Sequence, residues 1–411
     1  MKILFFFPRL EPSKQYHYMP ISALAVSAEL LEQGHEVTIW DDRVDFIPDK
    51  SLGALVFSAD QIMISAYTGY QLLQGYEFIR MVKDVAPHKK IILGGPHATA
   101  LPTQTLADPY IDEVVTGEVD TGAYPLPLHL IDVQKYINPE TERFMYITSY
   151  GCPGQCTFCA TEPRRPYLPL PMERVRGDID NIMAQYPFKE CVFFDATLFT
   201  KPERVKQVVA IMKRHNLQWI ADARATEMAK ADNSLLNMCV NSGLKHGGLT
   251  QLTIGLESGS PRIVEMMKKG KFHLRMFRLA AEKLANLAIK TDAKTPANPP
   301  IKTVSGVVLG CPGETPEDLQ LTIDYIKQIR GINPNFFIST TFFRPLPCTA
   351  MAKMAEGYGY RPPQSLEEWA MAGQASHYNY NRWNDSPWIK APDKYREIYE
   401  AFKAENQNIF V

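Results

Sequence analysis

In the first 120 residues, short apolar runs alternate with stretches whose apolar positions recur at helical spacing. Residues 2–8 (KILFFFP) form a buried-strand run, and 20–33 (PISALAVSAELLEQ) follow a helical period, with Pro20 in the first turn and Gly34 as the stop. Residues 35–41 (HEVTIWD) and 61–67 (QIMISAY) read as strands, and 71–87 (QLLQGYEFIRMVKDVAP) as a helix closed by Pro87. Two further strands fall at 90–95 (KIILGG) and 112–118 (DEVVTGE). Five strands separated by helices predict an α/β fold with an open, doubly wound parallel sheet. Ligands of such sheets bind outside the carboxyl ends of the strands, which is where the turns SAYTG and GGPHA lie.

A polar, proline-marked stretch, 123–142, reads as a linker between a domain at 1–122 and a second alternation at 143–348. Strand-like runs in the latter are 144–150, 190–196, 218–224, 249–258, 303–310 and 335–345. Amphipathic stretches such as 202–215 and 316–330 lie between most of them. Six β/α units in this length predict a partial barrel, with the active site where the strands end. The remainder, 349–411, is rich in Tyr, Trp and Pro and reads as an irregular cap.

Composition narrows the function. The chain has 411 residues, with 44 Lys+Arg against 45 Asp+Glu, so it lacks the basic excess of a general nucleic-acid binder. No run approaches the roughly 20 apolar residues of a membrane span, and the N-terminal run stops at Pro8 without a small-residue cleavage site. Neither nucleic acid nor membrane is expected as a partner, and a cytoplasmic location is. Seven cysteines are too few for a disulfide scaffold in a chain of this length, and three of them cluster.

That cluster is Cys152-Pro-Gly-Gln-Cys156-Thr-Phe-Cys159, directly after the first strand of the second alternation. The spacing C-x3-C-x2-C lets one short loop bring three thiolates around a common centre. Structural zinc closes with four ligands, and no paired Cys or His stands nearby to complete such a site. Iron–sulfur clusters are usually held by four cysteines; three on a four-iron cluster leave one iron open for chemistry. Three coincidental core cysteines are the plain alternative.

With this loop, residues 144–345 resemble the radical S-adenosylmethionine (SAM) enzymes. The resemblance implies that Cys152, Cys156 and Cys159 hold a 4Fe–4S cluster, that SAM chelates the fourth iron, and that one-electron reduction by an external donor releases a 5′-deoxyadenosyl radical. It places Phe158 near adenine, Asp195 at the SAM amino group and Arg224 at the methionine carboxylate. It also places Glu257 and Ser258 at the ribose or carboxylate, and the turn from Gly310 to Gly313 at adenine. For Asp195 and Ser258 a cap or turn role is the structural alternative.

The N-terminal domain lacks a G-x-G-x-x-G turn after its first strand, which disfavours NAD and FAD. Together with the barrel, and through GGPHATALPTQTLADPYIDEVVTGE, it resembles the cobalamin-binding radical SAM subclass. That resemblance implies a cobalamin tail beside Ser65, Tyr67 and Thr68 after the third strand, Gly94 and Gly95 after the fourth, and Thr116, Gly117 and Glu118 after the fifth. No D-x-H-x-x-G supplies a lower axial histidine. His17 and His97 are the local candidates, and for both a capping or surface role is the ordinary reading. The two cofactors imply transfer of a methyl group from SAM, through methylcobalamin, to an unactivated carbon of a small metabolite or a peptide or protein side chain. Non-methylating cyclisation, rearrangement or dehydration is the alternative, and a non-catalytic sensor a third. Tyr16, Tyr18, Tyr67 and Arg344 are candidates to face the substrate, and oxygen sensitivity implies anaerobic life.

Overall fold

The computed structural model describes residues 1–10, 18–45, 49–117, 124–160, 167–242, 248–270, 272–287, 301–376 and 386–411. They form two compact units. One comprises Met1–Asn138, Leu346–Cys348 and Arg361–Tyr380, the other Pro139–Pro345, Thr349–Tyr360 and Asn381–Val411.

In the first unit β1 (Lys2–Phe7), β2 (Glu36–Asp41), β3 (Gln61–Ser65), β4 (Lys90–Gly94) and β5 (Glu113–Val114) pair in the order β2-β1-β3-β4-β5, all parallel. β1 is central, so five consecutive residues from Ile3 to Phe7 are buried, as a strand covered on both faces requires. The connections are α1 (Ile21–Glu32), α2 (Asp49–Ser58), α3 (Tyr70–Val85), α4 (Gly95–Ala100) and α5 (Pro102–Leu106). Strand order reverses between β1 and β3, the position at which doubly wound sheets open a crevice. β5 is shorter than expected. At its start the Asp112 carboxylate, instead of a backbone carbonyl, accepts the Ile91 N–H at 2.7 Å.

The stretch 123–142 is more than a linker. Val133, Tyr136 and Ile137 are buried, and the Tyr136 hydroxyl donates to Asp41 Oδ2 at 2.9 Å. Asp41 also pairs with Arg43 at 2.6 Å, and that guanidinium lies 4.2 Å over the Phe7 ring and 4.3 Å over the Tyr18 ring. This charge-and-aromatic stack ties residues 133–137 to the end of the β2 strand.

The second unit is built on β6 (Arg143–Tyr146), with a two-stranded hairpin of β7 (Ser149–Tyr150) and β8 (Leu168–Pro169) beside it. β9 (Glu190–Phe193), β10 (Gln218–Ala223), β11 (Leu249–Ile254), β12 (Lys302–Leu309) and β13 (Phe336–Phe342) complete a six-stranded parallel sheet in the order β13-β12-β11-β10-β9-β6. This is the partial-barrel arrangement, with α6 (Met172–Gln185), α7 (Pro202–Arg214), α8 (Ala225–Lys230), α9 (Asn233–Val240), α10 (Pro261–Met266), α11 (His273–Ala285) and α12 (Pro316–Ile332) between strands. Alternation along β10 shows the two faces of the sheet. Trp219, Ala221 and Ala223 are buried, and the Trp219 indole donates to Ser242 Oγ at 2.9 Å; Asp222 and, just beyond the strand, Arg224 point the other way and stay partly exposed.

The tail does not form one cap. α13 (Ala350–Glu356) and α15 (Pro392–Glu405) belong to the second unit, whereas α14 (Leu366–Ser376) packs on α3 in the first. Leu366, Trp369 and Ala370 supply the apolar face that assigns α14 there. Among the described residues no helix is long and apolar enough to cross a membrane.

Candidate active site

The C-terminal part of the cysteine loop is fixed by backbone and side-chain bonds. The Thr157 N–H and hydroxyl donate to the Met267 and Met266 carbonyls at 3.1 and 2.9 Å, and the Cys159 N–H closes a turn onto the Cys156 carbonyl at 3.1 Å. All three cysteines are outside any disulfide and partly exposed, and the Gly154 N–H points at Cys152 Sγ at 3.3 Å. A Cβ on Gly154 would stand 3.3 Å from Cys152 Sγ, 3.8 Å from Cys156 Sγ and 3.9 Å from Arg224 Nε. Glycine thus keeps open a small hollow bounded by two thiols and a guanidinium. Among the described residues no three His, Cys, Asp or Glu side chains converge on one point as a single metal ion needs. Burial raises the Cys156 thiol, and the Lys269 ammonium opposes that rise. Phe158 lies half-buried in the same loop.

Around the loop stand charged groups from two strand ends and from the segment after α10. Arg224 follows β10 and is partly exposed. Glu257, at φ +65°, sits beyond β11, its backbone bridged to β12 through Glu257 N–H to Gly306 O at 2.8 Å and Val308 N–H to Glu257 O at 2.9 Å. Its carboxylate pairs at 3.2 Å with Lys269, which sequence reasoning missed. Burial works against the Lys269 charge, but Glu257 and Cys156 together hold it above the ordinary lysine range. The lysine follows α10 in a polar run, KKGK, that carries no motif of its own; only folding shows it against the thiols. His273 is buried, donates from Nε2 to the Leu256 carbonyl at 3.0 Å, and is pushed down to about 4 by burial, so it is neutral.

Three of the expected ligand residues are engaged within the protein. Asp195 has no exposed surface; its oxygens accept from the Thr148 N–H at 3.0 Å, the Thr148 hydroxyl at 2.7 Å and the Ser149 hydroxyl at 2.5 Å. It locks the end of β6, which is why the 144–150 run breaks after Tyr146. Ser258 is equally enclosed, accepting from the Ser260 N–H at 3.1 Å and lying 3.1 Å from the Thr322 hydroxyl, so the turn role holds. Gly310 donates its N–H to the Tyr395 hydroxyl at 3.1 Å and accepts the Trp388 indole N–H at 2.8 Å, so the C-terminal segment covers this turn. A carboxyl that the sequence did not single out does face the open side. Asp222 takes a hydrogen bond from Thr253, and burial raises it to about 6.

In the first unit Ser65 and Gly94 are register partners at the ends of β3 and β4, both partly exposed. Gly95, at φ +87°, lets the two turns meet: a Cβ there would stand 2.6 Å from Ser65 Oγ and 2.8 Å from Ala66 N. Tyr67 is exposed and its N–H donates to Gln71 Oε1 at 2.9 Å; Thr116 and Gly117 are exposed, with the Gly117 N–H on Thr99 Oγ1 at 3.1 Å. The small residues at three adjacent strand ends fit a large flat-edged cofactor approached by backbone. His97 is neither cap nor surface. It is buried, with Nδ1 2.9 Å from Thr68 Oγ1. Tyr18 is packed under Arg43, and Arg344 is exposed; Tyr16, His17 and Glu118 lie outside the described residues.

The comparisons agree with this two-part geometry. A B12 binding domain matches residues 13–124 and the radical SAM superfamily matches 146–326. The chain belongs to the cobalamin-binding radical SAM enzymes, whose cofactors are a 4Fe–4S cluster, SAM and cobalamin. An uncharacterised methyltransferase of Pyrococcus horikoshii is 24% identical over 372 residues, covering 79% of this chain and 76% of that protein. A bacteriochlorophyllide d C-12(1)-methyltransferase of Chlorobaculum tepidum is 21% identical, covering 79% and 72%. The fold matches the cobalamin-dependent SAM radical enzyme OxsB, with aqua-cobalamin and SAM bound, at a TM-score of 0.62 and 14% identity over 99% of this chain. The chain spans 61% of OxsB.

Proposed function

We propose that this chain is a cobalamin-dependent radical SAM methyltransferase that methylates an unactivated carbon of a small molecule or of a peptide or protein side chain. The observation that carries the reading is a loop of three cysteines outside any disulfide, ringed by Arg224, Lys269 and Glu257, in a chain that also carries a B12-binding unit. Relatives that are methyltransferases favour methylation over rearrangement. The bound cofactors supply a carbon-centred radical and a transferable methyl group, and an external one-electron reductant supplies the electron.

The protein's part is binding and orientation. Cys152, Cys156 and Cys159 hold the cluster as thiolates, and the Gly154 N–H donates to Cys152 Sγ. Arg224 and Lys269 present positive charge beside the thiols, suited to a carboxylate, and Glu257 offers an acceptor to hydroxyls. Lys269 anchors Glu257 through the 3.2 Å pair, so the two act together. Asp195, although enclosed, fixes the strand end from which the cysteine loop departs. Asp222, with its pKa near 6, is positioned to accept a hydrogen bond or proton from whatever occupies the open face.

Anaerobic purification with cobalamin supplied, followed by iron, sulfide and cobalt analysis, should give about four irons and one cobalt per chain. Cys156→Ala should lose the cluster's iron and all SAM cleavage; retention of both would refute the cluster assignment. A product without the mass of one added methyl group would instead favour rearrangement or cyclisation.

A further inference from the structure

The helix layer of the first unit is not completed by the chain that follows β4. α3 has 16 residues, whereas α4 and α5 have six and five. α14, from the far C-terminal region, packs on α3 and buries Leu366, Trp369 and Ala370 in the same apolar cluster as Leu72, Tyr76 and Ile79. It fills the layer that two short helices leave thin.

Two of its contacts reach the turns at the strand ends. Gly373 sits on the backbone of Gly69, which closes the SAYTG turn at φ +123°. A Cβ on Gly373 would stand 2.4 Å from the Gly69 carbonyl oxygen and 2.6 Å from its carbonyl carbon. No side chain fits there without moving the turn. The Trp369 ring meets the His97 ring edge-on, 6.0 Å between centroids, and His97 in turn joins Thr68 at 2.9 Å. One helix therefore touches the turn after β3 directly and the turn after β4 through His97. His97 Nε2 and Trp369 Nε1 are both buried without a hydrogen-bond partner. The ring contact accordingly acts through shape, not through a hydrogen bond.

We propose that α14 is a positioning element of the cobalamin site, holding the 65–69 and 94–97 turns in register with each other. The proposal rests on the reading that the first unit holds cobalamin. It makes a segment remote in sequence, outside the matched B12-binding region, necessary for cofactor capture.

The test is an absorbance titration of the anaerobically purified full-length protein with hydroxocobalamin, with iron per chain and circular dichroism measured in parallel. Gly373→Ala should weaken cobalamin binding by about tenfold or more, because a site held out of register must be reorganised before it binds. Iron content and helical signal should match the unaltered protein. Trp369→Ala should act likewise, and Trp369→Phe, which keeps a ring but no N–H, should restore binding. If Gly373→Ala loses helical signal, the Trp369 pair decides: weak binding by Ala with rescue by Phe upholds the proposal, and equal binding by both overturns it. Wild-type affinity in both Gly373→Ala and Trp369→Ala overturns it, as does loss of iron in step with loss of cobalamin. Binding by the unaltered protein with indifferent variants sinks this proposal alone. No binding by the unaltered protein sinks the functional reading as well.

Discussion

Asp222 is a half-buried carboxyl kept at a cost. Its folded pKa is raised from 3.8 to about 6, chiefly by burial, with the neighbouring Asp195 adding to the rise and the Thr253 hydroxyl opposing it. An acid raised on folding is neutral in both states below its unfolded value; its cost grows as the pH rises from the unfolded to the folded value and is complete above the latter. At 1.36 kcal/mol per pH unit the cost at pH 7 is about 3 kcal/mol. Asp222→Asn keeps an acceptor for Thr253 and removes the charge. It should stabilise the second unit by about 1–3 kcal/mol at pH 7 and have little effect at pH 4, as denaturant titrations at the two values would show. If Asp222 serves turnover, the same variant should lower it, the usual exchange of stability for activity. At this scale the sequence was legible where chemistry demands a spacing. Cys152, Cys156 and Cys159 could be read directly, because three thiolates on one loop have few other uses. Lys269 and Asp222 could not, because a lysine in a KKGK run and an aspartate in a strand look ordinary until the fold turns them to one side. Asp195 and Ser258 turn inward; a polar residue after a strand can cap inward or reach outward, and the linear pattern does not distinguish these.

Between strand and helix, the turn after β12 shows how an element can be closed from a distance. Glu314 accepts the Cys311 N–H at 2.8 Å, and Tyr395 of α15 pairs with Glu314 while accepting the Gly310 N–H at 3.1 Å. Burial raises Glu314 to about 7 and pushes the Tyr395 phenol well above its ordinary range, so the phenol stays protonated. Tyr395→Phe removes the hydroxyl that joins the Gly310 N–H to Glu314 and leaves Glu314 as the acceptor that remains to that N–H. It should destabilise the second unit by about 1–3 kcal/mol, measured by thermal melting against the unaltered protein. Elements were legible in proportion to their periodicity. β1, α1, α3 and β4 match their expected spans within two residues, since buried runs and amphipathic periods carry their own signal. α2 was not read, and α14 was read as part of an irregular cap: a helix whose apolar face completes a distant layer shows its partner only in the fold.

At the scale of the whole molecule, the two units carry opposite responses to acid. Among the described residues each holds one buried, neutral histidine with its pKa lowered from 6.5 to about 4: His97 in the first unit, His273 in the second. A histidine lowered on folding binds its proton preferentially in the unfolded chain. Its contribution is therefore fully present above pH 6.5 and is lost as the pH falls toward 4, about 2 kcal/mol by pH 5. In the second unit Asp222 and Glu314 work the other way. Their raised values, about 6 and 7, impose a cost at pH 7 that acidification relieves, by roughly 1 and 2 kcal/mol by pH 5, which outweighs His273. Among the described residues of the first unit no carboxyl carries so large a rise. Burial raises Asp42; at Asp112 burial also pushes upward, but the Lys83 hydrogen bond prevails and lowers it. Hydrogen-exchange mass spectrometry at pH 7 and pH 5, corrected for intrinsic rates, should show protection falling first in β1, β3 and β4 while β10 to β12 hold. His97→Gln should remove most of that fall in the first unit and leave the second unchanged. Parallel loss in both units, or persistence of the fall in His97→Gln, would show that the acid sensitivity lies elsewhere. The difference matters because the turn that carries His97 is also the turn proposed to hold cobalamin, so mild acid should loosen the cofactor-binding unit before it reaches the cysteine loop.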